Sequence, residues 1–397
     1  MKRKGMRKLM IITISSLLAV LFLGSLALFL AGGLLQPRHY MQPWDPNYAK
    51  RFSDPRIRLT AYGLLAANGH NMQPWTIRLD RSNPMVFYLY ADPARMSPMA
   101  DPDARQMMIT QGTFLEYVRV AGQTIGHPVT IDLFPEGTYD EPHLKQSMAE
   151  KPVAKIIMSN ANPQKNHLFD AIYIPDTNRT AYQSKPLTHV QVAAFERLKT
   201  SEVTTTVFTD QTNADTLGKI AHDSATIEAH TARVMDEAAA IFRANEYQKN
   251  QTRYGFSFEG QGTSGFRLYF MQGLITLFPF LNNSKASADL MIQSTRAALD
   301  HTPAYAMISS RKNDRLSQVK SGMIYSRLNL TASSLGLAVQ PVSQALEEYP
   351  EMRAQYTLIH RKYAAQGQTI QMLVRVGTPT EQVPQSMRRD VMDLIRH

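Results

Sequence analysis

The sequence predicts an α+β fold in which one pattern of strands and helices is used twice, behind a single membrane-spanning helix. Three observations support this prediction. Residues 10–35 form an uncharged, apolar run; helical and strand-like segments interleave from residue 56 to 376; and the interleaved pattern starts again after residue 176. Such interleaving is typical of mixed α and β domains. The two halves share too little sequence identity to prove a duplication.

The N-terminal 35 residues predict a membrane anchor. Five basic residues lie within positions 1–8, and the apolar run over 9–35 exceeds the roughly 20 residues that a helix needs to cross a bilayer. The positive-inside rule places the basic flank in the cytoplasm and the rest of the chain outside it, in the periplasm if the source is Gram-negative. Small residues at 31–33 also permit cleavage, so a removed signal sequence is the alternative to a retained anchor.

Composition excludes several classes of function. The net charge is +10, half of it from the N-terminal flank, and the remaining basic residues form no stripe with interleaved aromatics. Nucleic acid is therefore not an expected partner. The chain has no cysteine, which excludes disulfides, thiolate metal sites, cysteine nucleophiles and iron–sulfur clusters. Four prolines within residues 36–55 predict a tether between the membrane and the folded part.

Apolar periodicity and turn residues predict the following elements. In a first half over residues 56–165 they are helices at 56–67 and 103–126 and strands at 76–79, 85–91, 129–134 and 153–158. In a second half over residues 166–397 they are helices at 189–199, 214–245, 284–299 and 317–335 and strands at 203–209, 304–309, 339–343 and 369–376. An insertion spans about 243–283, and its apolar stretch at 273–281 is expected to be a buried helix end or a cofactor cover.

The loop at residues 67–75 has the most unusual composition in the chain. It combines Asn68, Gly69, His70, Asn71 and Gln73 with a following proline and tryptophan. Each amide side chain carries a donor and an acceptor, which suits the edge of a flat heterocycle better than a metal or a phosphate. The alternative is a polar turn before a strand, in which Gly69 supplies a positive φ.

Three other patterns in the sequence are candidates for a chemical role. Residues 260–265 match the glycine fingerprint of dinucleotide binding but lack its apolar strand and its downstream acidic residue, so a flexible lid is preferred. His222 and His230 lie eight residues apart without a metal-binding motif, and no metal site is predicted. Arg388 and Arg389 are either a bidentate phosphate site or surface charges.

Taken together, these patterns resemble the nitroreductase family of FMN-dependent oxidoreductases, in particular its tandem-repeat, Acg-like branch. The resemblance lies in the Asn68–Trp75 loop, which is similar to the family's SxxNxQPW motif, and in four further stretches that follow in the family's order. These stretches are residues 101–105, 177–179, 333–343 and 375–389.

The resemblance implies that the two halves form a pseudo-dimer around one FMN. Asn71 and Gln73, with Asn68 and His70 in the same loop, would face the flavin edge. Asn178 and Arg179, with Arg388 or Arg389, would hold the phosphate. Residues near the ring would be Gln340, Pro341, Val342 and Ser343. His70 has no counterpart in the family pattern, and Asn68 stands where serine is common. Catalysis would proceed at flavin N5 without a catalytic side chain.

The function predicted from this resemblance is electron or hydride transfer through FMN to nitroaromatic or quinone-like small molecules. A membrane quinol or a partner reductase is the expected electron donor, because nicotinamide cofactors are scarce outside the cytoplasm. Two alternatives stay open. One is a non-catalytic protein that binds or sequesters flavin beneath the insertion. The other is a degenerate family member without flavin that acts as an envelope interaction module.

Overall fold

The structure is a computed structural model that describes residues 2–174, 177–282 and 284–396. Its first helix, α1, spans Lys2–Ala31. The part from Gly5 to Ala31 is long and apolar enough for one membrane span, and the rest of the protein buries none of its most apolar window. A helix of this kind at an N-terminus suits either a membrane anchor or a signal sequence.

The segment 36–55, which the sequence predicts as a tether, is packed against the rest of the protein. Two short 3-10 helices shape it, His39–Trp44 and Ala49–Arg51. Tyr40, Trp44 and Tyr48 are buried. The Trp44 indole donates to the Ser386 carbonyl at 2.7 Å, and the Tyr48 hydroxyl accepts from the Val391 main-chain N–H at 3.0 Å. The segment therefore belongs to the folded body.

The first half contains a sheet of four antiparallel strands. Its elements are α2 (Pro55–Gly63), β1 (Trp75–Leu79), β2 (Val86–Ala91), α3 (Arg105–Thr124), β3 (Val129–Leu133), α4 (Leu144–Glu150) and β4 (Ala154–Met158). The strands lie in the order β3-β4-β2-β1. Asp54 caps α2 by accepting a hydrogen bond from the Arg56 N–H, and Pro55 occupies the first helical position, where no N–H is needed.

The second half repeats this arrangement with more helices. Its elements are α5 (His189–Glu196), β5 (Val203–Phe208), α6 (Gln211–His230), α7 (Ala232–Ala240), α8 (Glu246–Thr252), α9 (Gly265–Leu277), α10 (Ser284–Leu299), β6 (Ala304–Ser310), α11 (Arg315–Ser334), β7 (Ala338–Pro341), α12 (Arg353–Tyr363), β8 (Thr369–Gly377) and β9 (Ile395–Arg396). The strand order of its sheet is β7-β8-β6-β5.

The two sheets have the same topology. In chain order, β1 to β4 correspond to β5 to β8, and every pairing among each set of four is antiparallel. The predicted α+β class is confirmed. The C-terminal β9 leaves the second half and pairs in parallel with β1, so it becomes the fifth strand of the first sheet.

Helices α3 and α11 join the halves and carry the same repeat. Arg105 and Arg315 begin them, Gly112 and Gly322 follow at equal distances, and each helix spans 20 residues. A methyl group on Gly112 would overlap the Val319 carbonyl, and one on Gly322 would overlap the equivalent Ile109 carbonyl. The contact is therefore reciprocal, as at a two-fold interface.

Two sequence expectations need correction. The predicted helix at 214–245 is two helices, because Thr231 takes extended backbone angles between α6 and α7. Its hydroxyl donates to the Ile227 carbonyl at 2.7 Å. The stretch 273–281 is not a buried helix end, since Leu277 and the residues after it are exposed.

Candidate functional site

The loop between α2 and β1 has a strained backbone. His70, Asn71 and Gln73 adopt φ angles of 53°, 51° and 51°, in the left-handed region that residues other than glycine rarely occupy. The Asn68 side chain accepts from the Gln73 N–H at 2.8 Å, and the Gly69 N–H donates to Thr110 of α3 at 3.1 Å. Strain held in place by surrounding contacts is common at functional sites.

The amides of Asn71 and Gln73 bind main-chain groups from two distant segments. Asn71 Nδ2 donates to the carbonyls of Gly255 at 3.2 Å and Met387 at 3.1 Å. Gln73 Nε2 donates to the Arg253 carbonyl at 2.9 Å, and its Oε1 accepts from the main-chain N–H of Arg389 at 2.8 Å. The structure thus brings together the loop, the insertion and the C-terminal segment.

Arg388 and Arg389 are buried and donate to backbone carbonyls around the loop. Arg388 Nη2 bonds to the Leu65 carbonyl at 2.9 Å, and its Nη1 bonds to Asn71 Oδ1 at 3.1 Å. Its guanidinium also lies 4.7 Å from the Trp44 ring centroid. Arg389 donates to the carbonyls of Gln73 and Asp393. These contacts orient the loop, and the phosphate-binding role stays a prediction.

Burial and a neighbouring cation act on the Arg389 charge. Desolvation, helped by the positive charge of Arg95, lowers the pKa of Arg389 to about 10. The Arg95 guanidinium itself donates to the Met72 carbonyl at 3.1 Å. Arg95 also pairs with Asp92 at 3.2 Å, so acidic groups partly balance the positive charge of the two arginines.

Asn178 and Gln340 meet at a second place, around Arg375. The buried Asn178 pairs with the Glu381 carbonyl at 3.0 Å, and its main-chain N–H donates to Val339 at 2.9 Å. Arg375 Nε donates to Gln340 Oε1 at 2.6 Å, and its Nη2 reaches the Asn178 carbonyl at 3.3 Å.

The remaining predicted residues of β7 and its end pair with β8. Pro341 lies opposite Val374, the Val342 N–H donates to the Leu373 carbonyl at 2.8 Å, and Ser343 Oγ accepts from the Leu373 N–H at 3.0 Å. The groups from 341 to 343 therefore support the second sheet. Their predicted position beside a flavin ring stays a prediction.

His70 in the strained loop and Arg179 beside the groups around Arg375 each contact the insertion. Arg179 is exposed and donates to the Gly260 carbonyl at 2.6 Å. The His70 ring packs edge-on against Phe256 with 5.5 Å between centroids. Burial, and secondly the charge of Arg179, lower the pKa of His70 to about 4. The imidazole is therefore neutral at pH 7 and can act as both a donor and an acceptor.

Two groups near the site received no role in the sequence analysis. Arg375 is fully buried, and its guanidinium carbon lies 3.8 Å from the centroid of the Tyr182 ring. An arginine inside the apolar run of β8 was the available signal. The second group is a carboxylate pair, Glu228 and Glu347. Burial raises the pKa of Glu228 to about 7, and burial and the Glu228 charge raise that of Glu347.

A single side chain, that of Gln106, lies between the carboxylate pair and the strained loop. The Gln106 side chain of α3 donates to Glu347 Oε1 at 3.3 Å. The Oε1 atom of the same Gln106 side chain lies 3.8 Å from where a methyl group on Gly69 would be. Two carboxylates that share a buried site hold a proton near neutral pH. Their spacing in the sequence carried no such indication, because only the fold brings α6 beside the end of β7.

Other candidate features lie apart from the loop. A surface cleft of about 990 Å³ is lined by residues such as Pro102, Glu141 and Arg315 and includes none of the predicted flavin-binding residues. Among the residues that the structure describes, no three His, Cys, Asp or Glu side chains are grouped as metal ligands. The loop region thus remains the place where segments of both halves converge.

Comparison with known proteins bears on the family. No protein-family model matches the sequence. Two relatives from strains of Mycobacterium tuberculosis, each named "Putative NAD(P)H nitroreductase", are 24% identical over 336 residues, which cover 82% of this chain and 86% of each relative. The chain is therefore similar, over most of its length, to proteins named as nitroreductases. Its alignment with these relatives extends across most of both halves of the fold.

Two solved nitroreductase structures are similar to part of this chain. A nitroreductase from Desulfitobacterium hafniense with bound FMN has a TM-score of 0.34 and 10% identity, with coverage of 59% of this chain and 99% of that one. A nitroreductase from Bacteroides fragilis with bound FMN has a TM-score of 0.32 and 11% identity, with coverage of 57% and 96%.

Proposed function

We propose that this chain is an FMN-dependent oxidoreductase of the nitroreductase type, held at a membrane by α1. The observation that carries the proposal is the strained loop at 68–73, on which the insertion and the C-terminal segment converge. The alignment with relatives named as NAD(P)H nitroreductases supports the class of reaction. When bound, FMN would supply electron or hydride transfer at its N5 atom.

The residues present fit a flavin in part. The exposed Arg179 is suited to a phosphate, because its guanidinium carries fixed positive charge and several donors. The neutral His70 ring and the amides of Asn71 and Gln73 are suited to the polar edge of a heterocycle. Both amides, however, are bonded to the carbonyls of Gly255 and Arg253. Withdrawal of residues 253–256 would release these two bonds, whereas the bonds of Asn71 to Met387 and of Gln73 to Arg389 would remain.

The position of residues 253–256 favours a second candidate, a protein that sequesters flavin without turnover. The Gly255 N–H donates to the Asn71 carbonyl at 3.0 Å, and the Phe256 ring contacts that of His70. The insertion therefore covers the loop with backbone hydrogen bonds as well as an aromatic side chain. A closed cover of this kind would hinder the alternate entry of an electron donor and a bulky acceptor.

For the enzyme, nitroaromatic or quinone-like molecules are the proposed acceptors, and a membrane quinol or a partner reductase is the proposed donor. These partners suit an active site on the extracytoplasmic side of a single-pass protein whose N-terminus is cytoplasmic. The proposed domain organisation is an anchor at 9–35 and two nitroreductase-like halves at 56–165 and 166–397, with the insertion at about 243–283.

The absorption spectrum of the purified full-length chain tests the proposal. We expect an oxidised-flavin spectrum, and release of FMN on denaturation. Arg179→Ala should lower the flavin content at least several-fold, whereas Arg197→Ala, an exposed arginine at the end of α5, should not. A colourless protein that takes up no added FMN would contradict both the enzyme and the sequestering protein, and leave the interaction module.

Turnover separates the two flavin-binding candidates. An enzyme should reduce its flavin with dithionite or a quinol and reoxidise it with a nitroaromatic or a quinone. A sequestering protein should bleach with dithionite and show no turnover. Phe256→Ser loosens the cover on His70, so a gain of turnover in that variant alone would show that the insertion, rather than the flavin site, limits the reaction.

A further inference from the structure

Helix α9 of the insertion packs against the C-terminal end of α1. The Phe29 ring lies 6.1 Å from that of Phe266 and 6.4 Å from that of Phe270, between centroids. Gly273 faces the Leu28 carbonyl and Gly32 faces the Tyr269 carbonyl, each so closely that a methyl group would overlap the other backbone. Such close approach between glycines and backbone is typical of tightly packed helix pairs.

Helix α9 and the residues after it also expose an apolar surface, which begins at the contact with α1. We call it the apolar ridge, and it comprises Phe266, Phe270, Leu277, Phe278, Phe280 and Leu281. The side chains of Phe266 and Phe280 are 76% and 72% exposed. A soluble surface rarely leaves this many large apolar side chains together, so the apolar ridge marks an interaction site.

A buried polar network fixes the apolar ridge relative to α1. Glu246 accepts from the Tyr40 hydroxyl at 2.6 Å, from Lys249 at 2.6 Å and from Gln272 of α9 at 3.2 Å. Nearer the surface, Arg38 donates to the Tyr269 hydroxyl at 2.6 Å. Because Arg38 and Tyr40 lie within ten residues of the end of α1 at Ala31, these bonds attach α9 to the segment that follows that helix.

The contact with α1 lies at the depth of a membrane boundary. The last basic residue before the apolar run is Lys8, and about 20 further residues cross the hydrocarbon core, which ends near Leu28. Helix α9 touches α1 at residues 28–32, where acyl chains give way to headgroups. Exposed Arg267 and Lys285 flank the apolar ridge and suit phospholipid phosphates there.

We infer that the apolar ridge inserts into the interfacial layer of the same phospholipid bilayer that α1 spans. The occupant is lipid, because the ridge continues the lipid-facing surface of α1 at the depth where that helix emerges. The inference rests on the proposed membrane anchoring.

The cysteine-free sequence allows a direct test with single spin labels. The full-length chain is labelled at Phe266→Cys or Phe280→Cys in nanodiscs of mixed zwitterionic and anionic phospholipid. Leu18→Cys, in the middle of α1, is the membrane reference, and Val190→Cys, on α5 and 75% exposed, is the aqueous reference. Collision of each nitroxide with dissolved oxygen and with a water-soluble nickel chelate is then measured.

We expect both ridge labels to collide with oxygen several-fold more often than the Val190 label and with the nickel chelate several-fold less often. Ridge labels that match the Val190 label, while the Leu18 label reads as lipid, overturn the inference but leave the anchor intact. Labels shielded from both reagents indicate a protein partner and also overturn it. If the Leu18 label itself reads as aqueous, the proposed anchoring fails, and the inference falls with it.

Discussion

His70 is the residue whose protonation the fold changes most directly. Its folded pKa of about 4 lies below the unfolded value near 6.5, because burial and Arg179 disfavour the charged ring. Between these two pH values the unfolded chain binds the proton and the folded chain does not. The contribution of the neutral ring to stability is therefore complete above pH 6.5 and falls as the pH decreases towards 4.

We expect protonation of this ring to lower the free energy of unfolding by about 1–3 kcal/mol when the pH is decreased from 6.5 to 4.5. This range allows for the partial exposure of the ring to solvent. In His70→Asn that part of the pH dependence should vanish, and asparagine tolerates the φ of 53°. Denaturant unfolding of the detergent-solubilised chain at several pH values measures the difference. Identical pH profiles for the two chains would show that the ring does not titrate as described.

Arg375 is the second residue with a distinct expectation. Its guanidinium donates to Gln340, to the Ala298 carbonyl and to the carbonyls of Asn178 and Thr180 from inside the second half. Burial lowers its pKa. A lysine offers three donors on one atom and cannot reach this spread of acceptors.

Arg375→Lys should therefore lower the free energy of unfolding by about 2–4 kcal/mol, since several buried acceptors lose their donors. Arg311→Lys, on an exposed residue just after β6, is the matched control and should change it by less than about 0.5 kcal/mol. The hypothesis fails if the two substitutions cost the same. Flavin content, followed in parallel, separates loss of stability from loss of cofactor.

At the scale of elements, the pairing of α3 with α11 depends on two glycines. Gly112→Ala and Gly322→Ala each place a methyl group against a carbonyl of the other helix, so the helices must separate. Each should lower the free energy of unfolding by about 1–3 kcal/mol. The double variant should cost less than the sum, because the first substitution already opens the shared contact.

Thermal unfolding of the four chains in one detergent gives these differences. Gly260→Ala is the control, because a methyl group there meets open space and the backbone φ is not left-handed. Equal effects at Gly112 and Gly322 are expected from the reciprocal geometry. A neutral result at either one would mean that the two helices meet differently from the structure.

The positions of most helices and strands were predictable from the sequence, but which of them pack or pair with one another was not. Periodicity located β2, α3, β4 and β8 to within a few residues, because alternation and helical spacing are local properties. It missed α9, whose apolar residues lack a polar face, and β9, which is two residues long. The break between α6 and α7 at Thr231 was also missed.

At the candidate site, too, the local conformation was predictable and the long-range contacts were not. The composition of residues 68–75 indicated a polar loop of special conformation, and three positive φ angles occur there. No local pattern could indicate that Gly255 and Arg253 would occupy the amides of Asn71 and Gln73. Nor could it place Arg388 against Leu65, since contacts across more than 300 residues depend on the joining of the two halves.

At the scale of the whole molecule, the segment after α1 is expected to be part of the stable fold. A variant lacking residues 1–36 keeps the buried Tyr40, Trp44 and Tyr48, and should retain the native near-UV circular dichroism. A variant lacking residues 1–55 loses these rings and the contacts that hold Ser386 and Val391. It should be less stable by about 4 kcal/mol or more, or fail to fold.

The point variant Trp44→Ala in the full-length chain separates packing from length. It removes one buried indole and should cost about 3–5 kcal/mol. If the variant lacking residues 1–55 were as stable as the one lacking residues 1–36, the segment would be a simple tether after all.

The parallel pairing of β9 with β1 has a consequence for how the protein is made. Ile77 of β1 pairs with Ile395 of β9, so this edge of the first sheet stays open until residues 395 and 396 have been synthesised. The first half therefore cannot finish folding while the ribosome is still producing the second. During that interval β1 presents unpaired backbone groups, which in many proteins attract chaperones or other chains. Closure of this edge by β9 makes completion of the first sheet depend on residues more than 300 positions later in the chain.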